Sequence, residues 1–367
     1  MERPLLYCRR GDRLVSRLKM MLYGWRFIDQ VGGQLVMLWP ALDPRYGAER
    51  DGYRPGMIFD LDRWEAGGGG ERLRFVETEE PLPRDTTVLD GPAMAERVKA
   101  GFDRAMFAGG GRFRKRGFDK FRFADEPADW AHRIAGMRDL FRSLPVHPDV
   151  LAARDAFYAA QGLVPGGFDA VHVRHGDVYG MLAAELPGWA TGELTPQRLD
   201  QLLGHVVNRT APFDFYWPAI DALVAQGRRI VFTSDTPETI APFRARYGAG
   251  AFVDLSALSM AVVIQKAFAD FLVLMDAGQV VGTSSNFSSL PGQIGGGRFV
   301  NVASTGPFAS VEAAFRAALP LDEATMAAAL ARLEPLHAAF AARVAAMQRA
   351  QAARAERALA AAAKSAM

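Results

Sequence analysis

The stretch FDAVHVRHGD, residues 168–177, decides the fold. Its first seven residues are rich in apolar and β-branched side chains and read as a strand, which Gly176-Asp177 then ends. Successive side chains on a strand alternate faces, so His172 and Arg174 share one. Downstream, strands and helices alternate. Helical stretches near 195–207 and 216–226 precede a strand at RIVFT (229–233). The next helix begins at Thr236-Pro237-Glu238, where Thr236 or Asp235 can cap and proline suits the first helical position, and it stops at Tyr247-Gly248. AFVDL (251–255), a long apolar helix from about 258 to 276, QVVGT (279–283), a short helix after Asn286, RFVNV (298–302) and a helix after Ser310 complete the series. Strands separated by helices at this spacing require crossover connections, hence a parallel sheet covered on both faces.

The N-terminal part opens in the same way, with PLLY (4–7), a helix from about Asp12 to Val31 and QLVMLW (34–39). MIFDL (57–61) and RLRFVE (72–77) are further strand candidates among glycine runs at 67–70 and 109–111. The expected fold is therefore α/β with two Rossmann-like domains, residues 1–155 and 156–320, divided where LPVHP (144–148) and LVPGG (163–167) fall. Residues 321–367 are alanine-rich with scattered arginines, so a long C-terminal helix is expected there.

Composition narrows the function classes. Of 367 residues, 50% are apolar and 23% charged, which suits a sizeable core and excludes a disordered chain. Lysine and arginine number 43 against 41 acidic residues, a net charge of +2, which argues against a protein that coats nucleic acid. Cys8 is the single cysteine, so neither a disulfide framework nor a cysteine zinc cluster can form, as suits a reducing compartment. The first 25 residues are interrupted by charges and contain no signal-peptide core, and no apolar run is long enough to span a bilayer. A cytoplasmic location without a membrane span is the expectation.

Three segments carry candidate chemistry. Ligands bind at the carboxyl edge of open parallel sheets, and Arg174 stands at such an edge with a planar fork of donors suited to a diphosphate. The alternative is that Arg174 pairs with a carboxylate and His172 is a core residue. GTSSNFSSLPGQI (282–294) sets hydroxyls and backbone N–H groups at a helix N-terminus, which is either an anion site or simply a serine-rich turn. FTSD (232–235) ends a strand with Asp235, which can serve a site or cap the next helix.

Together and in this order, these segments resemble the donor-binding domain of the fucosyltransferase superfamily that holds bacterial nodulation, core α-1,6- and protein O-fucosyltransferases. The resemblance covers roughly residues 168–302, and HVRHGD is its most specific element. It implies a GT-B-type architecture, a GDP-sugar donor in the C-terminal domain, inversion at the anomeric carbon, and no metal or other cofactor. Arg174 matches the arginine that holds the donor β-phosphate, and His172 the histidine lining the nucleotide pocket. His175 stands where several relatives have a second arginine, and Asp177 falls on the acidic residue after that motif. Ser234 and Asp235 fall on a short strand-end acidic motif. Asp270, thirteen residues before Thr283, matches the aspartate that reads guanine. Ser284, Ser285 and Asn286, after Thr283, fall on a Ser-Ser-Gln-type turn that holds phosphate. Gly11-Asp12-Arg13-Leu14 loosely resembles the family's glycine-rich Asn-Arg-Leu opening, with Arg9 where a glycine is expected.

The implied reaction transfers fucose, or a related sugar, to a saccharide or glycoconjugate. Negative charge builds on the departing phosphate while the sugar gains oxocarbenium character, so a fixed arginine and helix-terminal N–H groups stabilise what develops. Arg174 and Asp177 are the expected catalytic pair. Asp177 is the first candidate for a general base, followed by Asp12 and Glu185.

Two other stretches support competing readings. MIFDLDRW (57–64) contains Asp60-x-Asp62 after an apolar run and, with FTSD, is similar to motifs of haloacid dehalogenase-type magnesium phosphohydrolases, although Trp64 departs from their pattern. GRFRKRGFDKFRF (111–123) interleaves basic and aromatic residues, as a single-strand nucleic-acid or anionic surface would; a solvated basic loop is the plainer reading. Within the transferase reading this segment is expected on the acceptor side. A noncatalytic nucleotide-sugar binder is the third possibility.

Overall fold

In the computed structural model the described residues are 2–42, 53–77, 84–117, 121–127, 129–174, 211 and 213–302, with isolated positions within 184–209 and 322–349. The elements of the first half are β1 (Leu5–Arg9), α1 (Leu14–Asp29), β2 (Gln34–Leu38), α2 (Leu61–Ala66), β3 (Leu73–Val76), β4 (Thr87–Val88), α3 (Ala95–Ala100), β5 (Arg112–Lys115), α4 (Trp130–Ser143) and α5 (Pro148–Gln161). Those of the second are β6 (Phe168–Val173), α6 (Trp217–Ala225), β7 (Arg229–Ser234), α7 (Ile240–Tyr247), β8 (Phe252–Asp254), α8 (Val263–Asp276), β9 (Gln279–Gly282), α9 (Asn286–Ile294) and β10 (Arg298–Asn301). The protein is α/β, and its described residues form two five-stranded sheets in which every strand pairing is parallel.

Contacts divide the chain into two units. Met1–Pro165, Ala257–Ala277 and Leu290–Gly297 make the first; Gly166–Ser256, Gly278–Ser289 and the described part of Arg298–Met367 make the second. The division is thus discontinuous, whereas the expected limits at 155 and 156 cut the chain once. The cause is α8, whose apolar face packs on α5 of the first unit. Its fully buried Phe268 meets Phe59 edge-on at 5.3 Å, and Phe271 lies 5.7 Å from Phe141.

In the first unit the strand order is β3-β2-β1-β5-β4. Leu14, Leu18, Met21, Leu22, Trp25 and Ile28 recur at helical spacing and give α1 its buried face against β1 and β2; α4 covers the other side. Phe27 anchors an aromatic core, stacked on Phe123 at 4.5 Å and edge-on to Phe102, Phe107 and Phe121.

Two expectations fail here. Residues 57–61 are not a strand. Pro55–Met57 form a 3-10 turn, Phe59 makes one isolated antiparallel bridge to Val146, and Asp60 caps α2 by accepting the N–H of Arg63 at 3.1 Å. Arg112–Lys115 of the basic segment are not a solvated loop either, because they form β5 beside β1, with Phe113 and Lys115 buried. Lys115 Nζ rests 3.8 Å from the centre of the Phe121 ring.

In the second unit the order is β10-β9-β6-β7-β8. The chain moves outward from β6 through β7 to β8, then returns to the other flank of β6 for β9 and β10. Val171 and Val173 join a core with Tyr216, Ile220, Phe232, Phe243 and Phe252. Strand alternation therefore sends His172 and Arg174 to the opposite face. No helix of the described residues is long and apolar enough to cross a membrane.

Candidate active site

The carboxyl edge of the second sheet gathers most of the singled-out residues. His172 lies opposite Thr233, and Val173 opposite Ser234, so Arg174 and Asp235 leave the ends of β6 and β7 as neighbours. On the other flank Ala170 and Val171 pair with Val280 and Val281, which brings the turn after β9 level with Arg174. Strand order reverses between β6 and β9, the position where loops diverge and ligands enter in open parallel sheets.

That turn is held tightly. A Cβ on Gly282 would stand 2.7 Å from Ser288 Cβ and 3.2 Å from the His172 carbonyl, so only glycine lets β9 run this close to α9. The buried Thr283 hydroxyl donates to the Arg209 carbonyl at 2.5 Å, and Ser288 Oγ donates to the Thr283 carbonyl at 2.9 Å. The Ser289 N–H donates to the Ser285 carbonyl at 2.9 Å and starts the helix. Ser285 is buried, and its Oγ accepts a hydrogen bond from Arg174 Nη1 at 3.2 Å. Ser284 is exposed, and its Oγ accepts from Asn301 Nδ2 at 2.9 Å, at the end of β10. Thr283 and Ser288 thus fasten the turn, while Ser284 and Ser285 present hydroxyls at the edge. Asn286 is the first residue of α9, half-buried.

His172 is buried and stacks on Phe287; its carbonyl accepts from the Tyr216 hydroxyl at 3.4 Å. His172 of β6 and Arg174 just beyond its end therefore address one turn, His172 through Phe287 and Arg174 through Ser285. At the end of β7 the Ser234 hydroxyl accepts the N–H of Thr236 at 3.2 Å and lies 3.4 Å from Asp235 Oδ1, leaving Asp235 exposed.

The remaining expected residues stand on other elements. Asp270 sits on α8, grouped with the first unit, and both its carboxylate oxygens are 2.6 Å from Lys266 Nζ. Burial raises its pKa to about 6, against the opposing pull of Lys266. Asp12 pairs with Arg10, and its carbonyl accepts from Arg17 Nε at 2.5 Å. Glu185 accepts both arms of the Arg198 guanidinium, at 2.9 and 2.5 Å, which holds its carboxyl below the usual range. His175 and Asp177 lie outside the described residues. Asp60 is a helix cap rather than a strand-end nucleophile, which removes the placement that the phosphohydrolase reading requires. Phe113, Phe121 and Phe123 are core residues, not a stacking platform for bases.

Phe287, Ser288 and Asn301 escaped the sequence reading. Asn301 was within reach, since it ends the strand RFVNV and so falls at the same edge as Gly282, its register partner. Phe287 and Ser288 were hidden because a phenylalanine and a serine in a short helix are unremarkable without their neighbours.

Chemically, the edge offers a guanidinium, a buried hydroxyl and the N-terminus of α9 together. Such a set can grip an anion and stabilise charge that develops on it.

No family model matches the chain, and no curated protein matches it. Among solved structures, the chain is similar to fucosyltransferase NodZ from Bradyrhizobium, at 13% identity over 79% of this chain and 93% of that one, with a TM-score of 0.45. It is similar also to POFUT1 in complex with GDP-fucose, at 10% identity over 81% of this chain and 97% of that one, with a TM-score of 0.44. A third similar structure is NodZ alpha-1,6-fucosyltransferase co-crystallized with GDP, at 13% identity over 79% and 92% of the two chains, with a TM-score of 0.45.

Proposed function

We infer that the protein is an inverting, metal-independent glycosyltransferase of GT-B type, built from two Rossmann-like domains, that moves fucose or a related sugar from a GDP-sugar to a saccharide or glycoconjugate. One observation carries this reading: Arg174 and Ser285, 111 residues apart and drawn from the two motifs that resemble the donor site, meet at the reversal of a parallel sheet. In the proposed reaction Arg174 holds the β-phosphate of the donor, and its fixed charge stabilises the diphosphate as the glycosidic bond breaks. Ser284, Ser285, Asn286 and the N-terminus of α9 share that anion, and Thr283 fastens their turn. His172 packs beneath the site, and Asp235 lies at its margin. Asp270 reads guanine, His175 supplements Arg174, and Asp177 takes the acceptor proton.

Thermal-shift screening against GDP-, UDP-, CDP- and ADP-sugars, with and without magnesium, tests the proposal, because a ligand of the native state raises its apparent stability. Stabilisation by GDP and GDP-sugars without magnesium is the expected result, with Arg174→Ala sharply reducing it at the same ligand concentration. Equal responses to all four nucleotides, or an absolute need for magnesium, would refute the reading. GDP binding without sugar transfer to any acceptor would make the protein a noncatalytic binder.

A further inference from the structure

The first unit, like the second, is a parallel sheet whose strand order reverses beside its first strand, but it ends its strands in a different chemistry. Its order, β3-β2-β1-β5-β4, puts the reversal between β1 and β5. Tyr7 lies opposite Arg114 and Cys8 opposite Lys115, so the next pair out, at the carboxyl edge, is Arg9 and Arg116. Alternation sorts these side chains. Leu6, Cys8, Phe113 and Lys115 turn into the core, while Arg9 and Arg116 are exposed and Arg114 is half-buried on the other face. Partial burial, followed by the like charges of Arg116 and Arg9, holds the Arg114 guanidinium below its ordinary pKa.

Of the nearby carboxylates, Asp90 offsets the charge around Arg114 only in part. Asp90 accepts the backbone N–H groups of Arg116 at 2.7 Å and Gly117 at 2.5 Å, and Asp12 is paired with Arg10. Helix α1 leaves the same edge with Arg13 at its N-cap and no acidic residue in its first turn, the reverse of the charge that a helix N-terminus favours. Crowding cations against one another and against a helix N-terminus opposes folding, and functional sites are where such unfavourable charge is kept. The reversal of a parallel sheet is also where ligands enter.

We propose that Arg9, Arg114 and Arg116 form an anion site that recognises the acceptor, a saccharide bearing a phosphate or carboxylate group. The identity of the ligand as an acceptor rests on the transferase reading; the anion site itself rests on the first unit alone.

The test is calorimetric titration of the whole protein with three disaccharides, one uncharged, one carrying a hexuronic acid and one a sugar 6-phosphate, each with and without saturating GDP. A charged disaccharide should bind and the uncharged one should not. Binding should weaken as salt rises from about 0.05 to about 0.5 M, as the screening length shrinks. The Arg9→Ala/Arg116→Ala variant should lose about tenfold in affinity for the charged disaccharide. The single charge reversal Arg116→Glu, at an exposed position, should do the same, with circular dichroism reporting that both variants are folded. The stronger of the two charged probes identifies the group recognised. Equal binding of charged and uncharged disaccharides, or wild-type affinity in both folded variants, overturns the proposal. The donor reading fails separately: absence of GDP binding would sink it while leaving the charged disaccharides bound.

Discussion

Phe287 lies against the imidazole of His172, with ring centroids 5.4 Å apart and planes inclined by 30°. The pair ties the turn after β9 to the central strand of its sheet, two residues from the point where Arg174 meets Ser285. Phe287→Ala should therefore destabilise the protein by about 1–3 kcal/mol and weaken GDP binding about tenfold. Chemical denaturation and GDP titration check this. Lower stability with unchanged GDP affinity would make the stack purely structural.

Arg174 and Ser285 should behave as one unit. Arg174→Ala should weaken GDP binding by about a hundredfold, and Arg174→Lys should recover little of it, because an ammonium cannot present a two-armed fork. Ser285→Ala should cost about 0.5–1.5 kcal/mol of binding through the lost acceptor. In a double-mutant cycle the two effects should be non-additive; strict additivity would show that the hydrogen bond does not position the guanidinium.

Gly282→Ala tests the close approach of β9 to α9. The added methyl would overlap Ser288 Cβ at 2.7 Å, so the helix must shift. Thermal unfolding should show a loss of about 1–3 kcal/mol, and GDP affinity should fall with it. A fully stable variant would mean that the turn is softer than its hydrogen bonds suggest.

Asp270 gives the stability a pH dependence of definite sign. Burial raises its folded pKa to about 6, above the unfolded value near 4, so folding favours the protonated carboxyl. Its contribution is present in full below about pH 4 and is lost as pH rises through about 6. Compared with Asp270→Asn, the wild type should match the variant near pH 4 and lose up to about 2–3 kcal/mol relative to it by pH 7. Melting temperatures across that range decide it. If Asp270 reads guanine, GDP should also bind more weakly below pH 6, because guanine donors favour the ionised carboxylate.

Much of the second sheet was legible because its strands are continuous apolar runs with turn residues between them. RIVFT, AFVDL, QVVGT and RFVNV each fall on β7, β8, β9 and β10 within two residues. The carboxyl edge followed from those strands, and with it the neighbourhood of Arg174, Asp235 and Ser285. β5 stayed hidden because RFRK carries a charge at three of its four positions, and the inward turn of Lys115 depends on the Phe121 ring, which sequence spacing does not reveal. The apolar run MIFDL was misleading in the opposite sense: Pro55 and Asp60 supply the turn and the cap that make this segment a helix start. Asp270 was readable as a residue type on a helix, and its pairing with Lys266 four residues earlier is a local contact that helical spacing allows, but its burial and the packing of that helix on α5 are tertiary facts.

The late arrival of α8 in the chain also bears on synthesis at the ribosome. Phe59, Phe141 and the face of α5 emerge more than a hundred residues before the helix that covers Phe59 and Phe141. The N-terminal sheet therefore cannot finish its core during translation of its own half, and a chain truncated near residue 165 would present that greasy seam to chaperones and proteases.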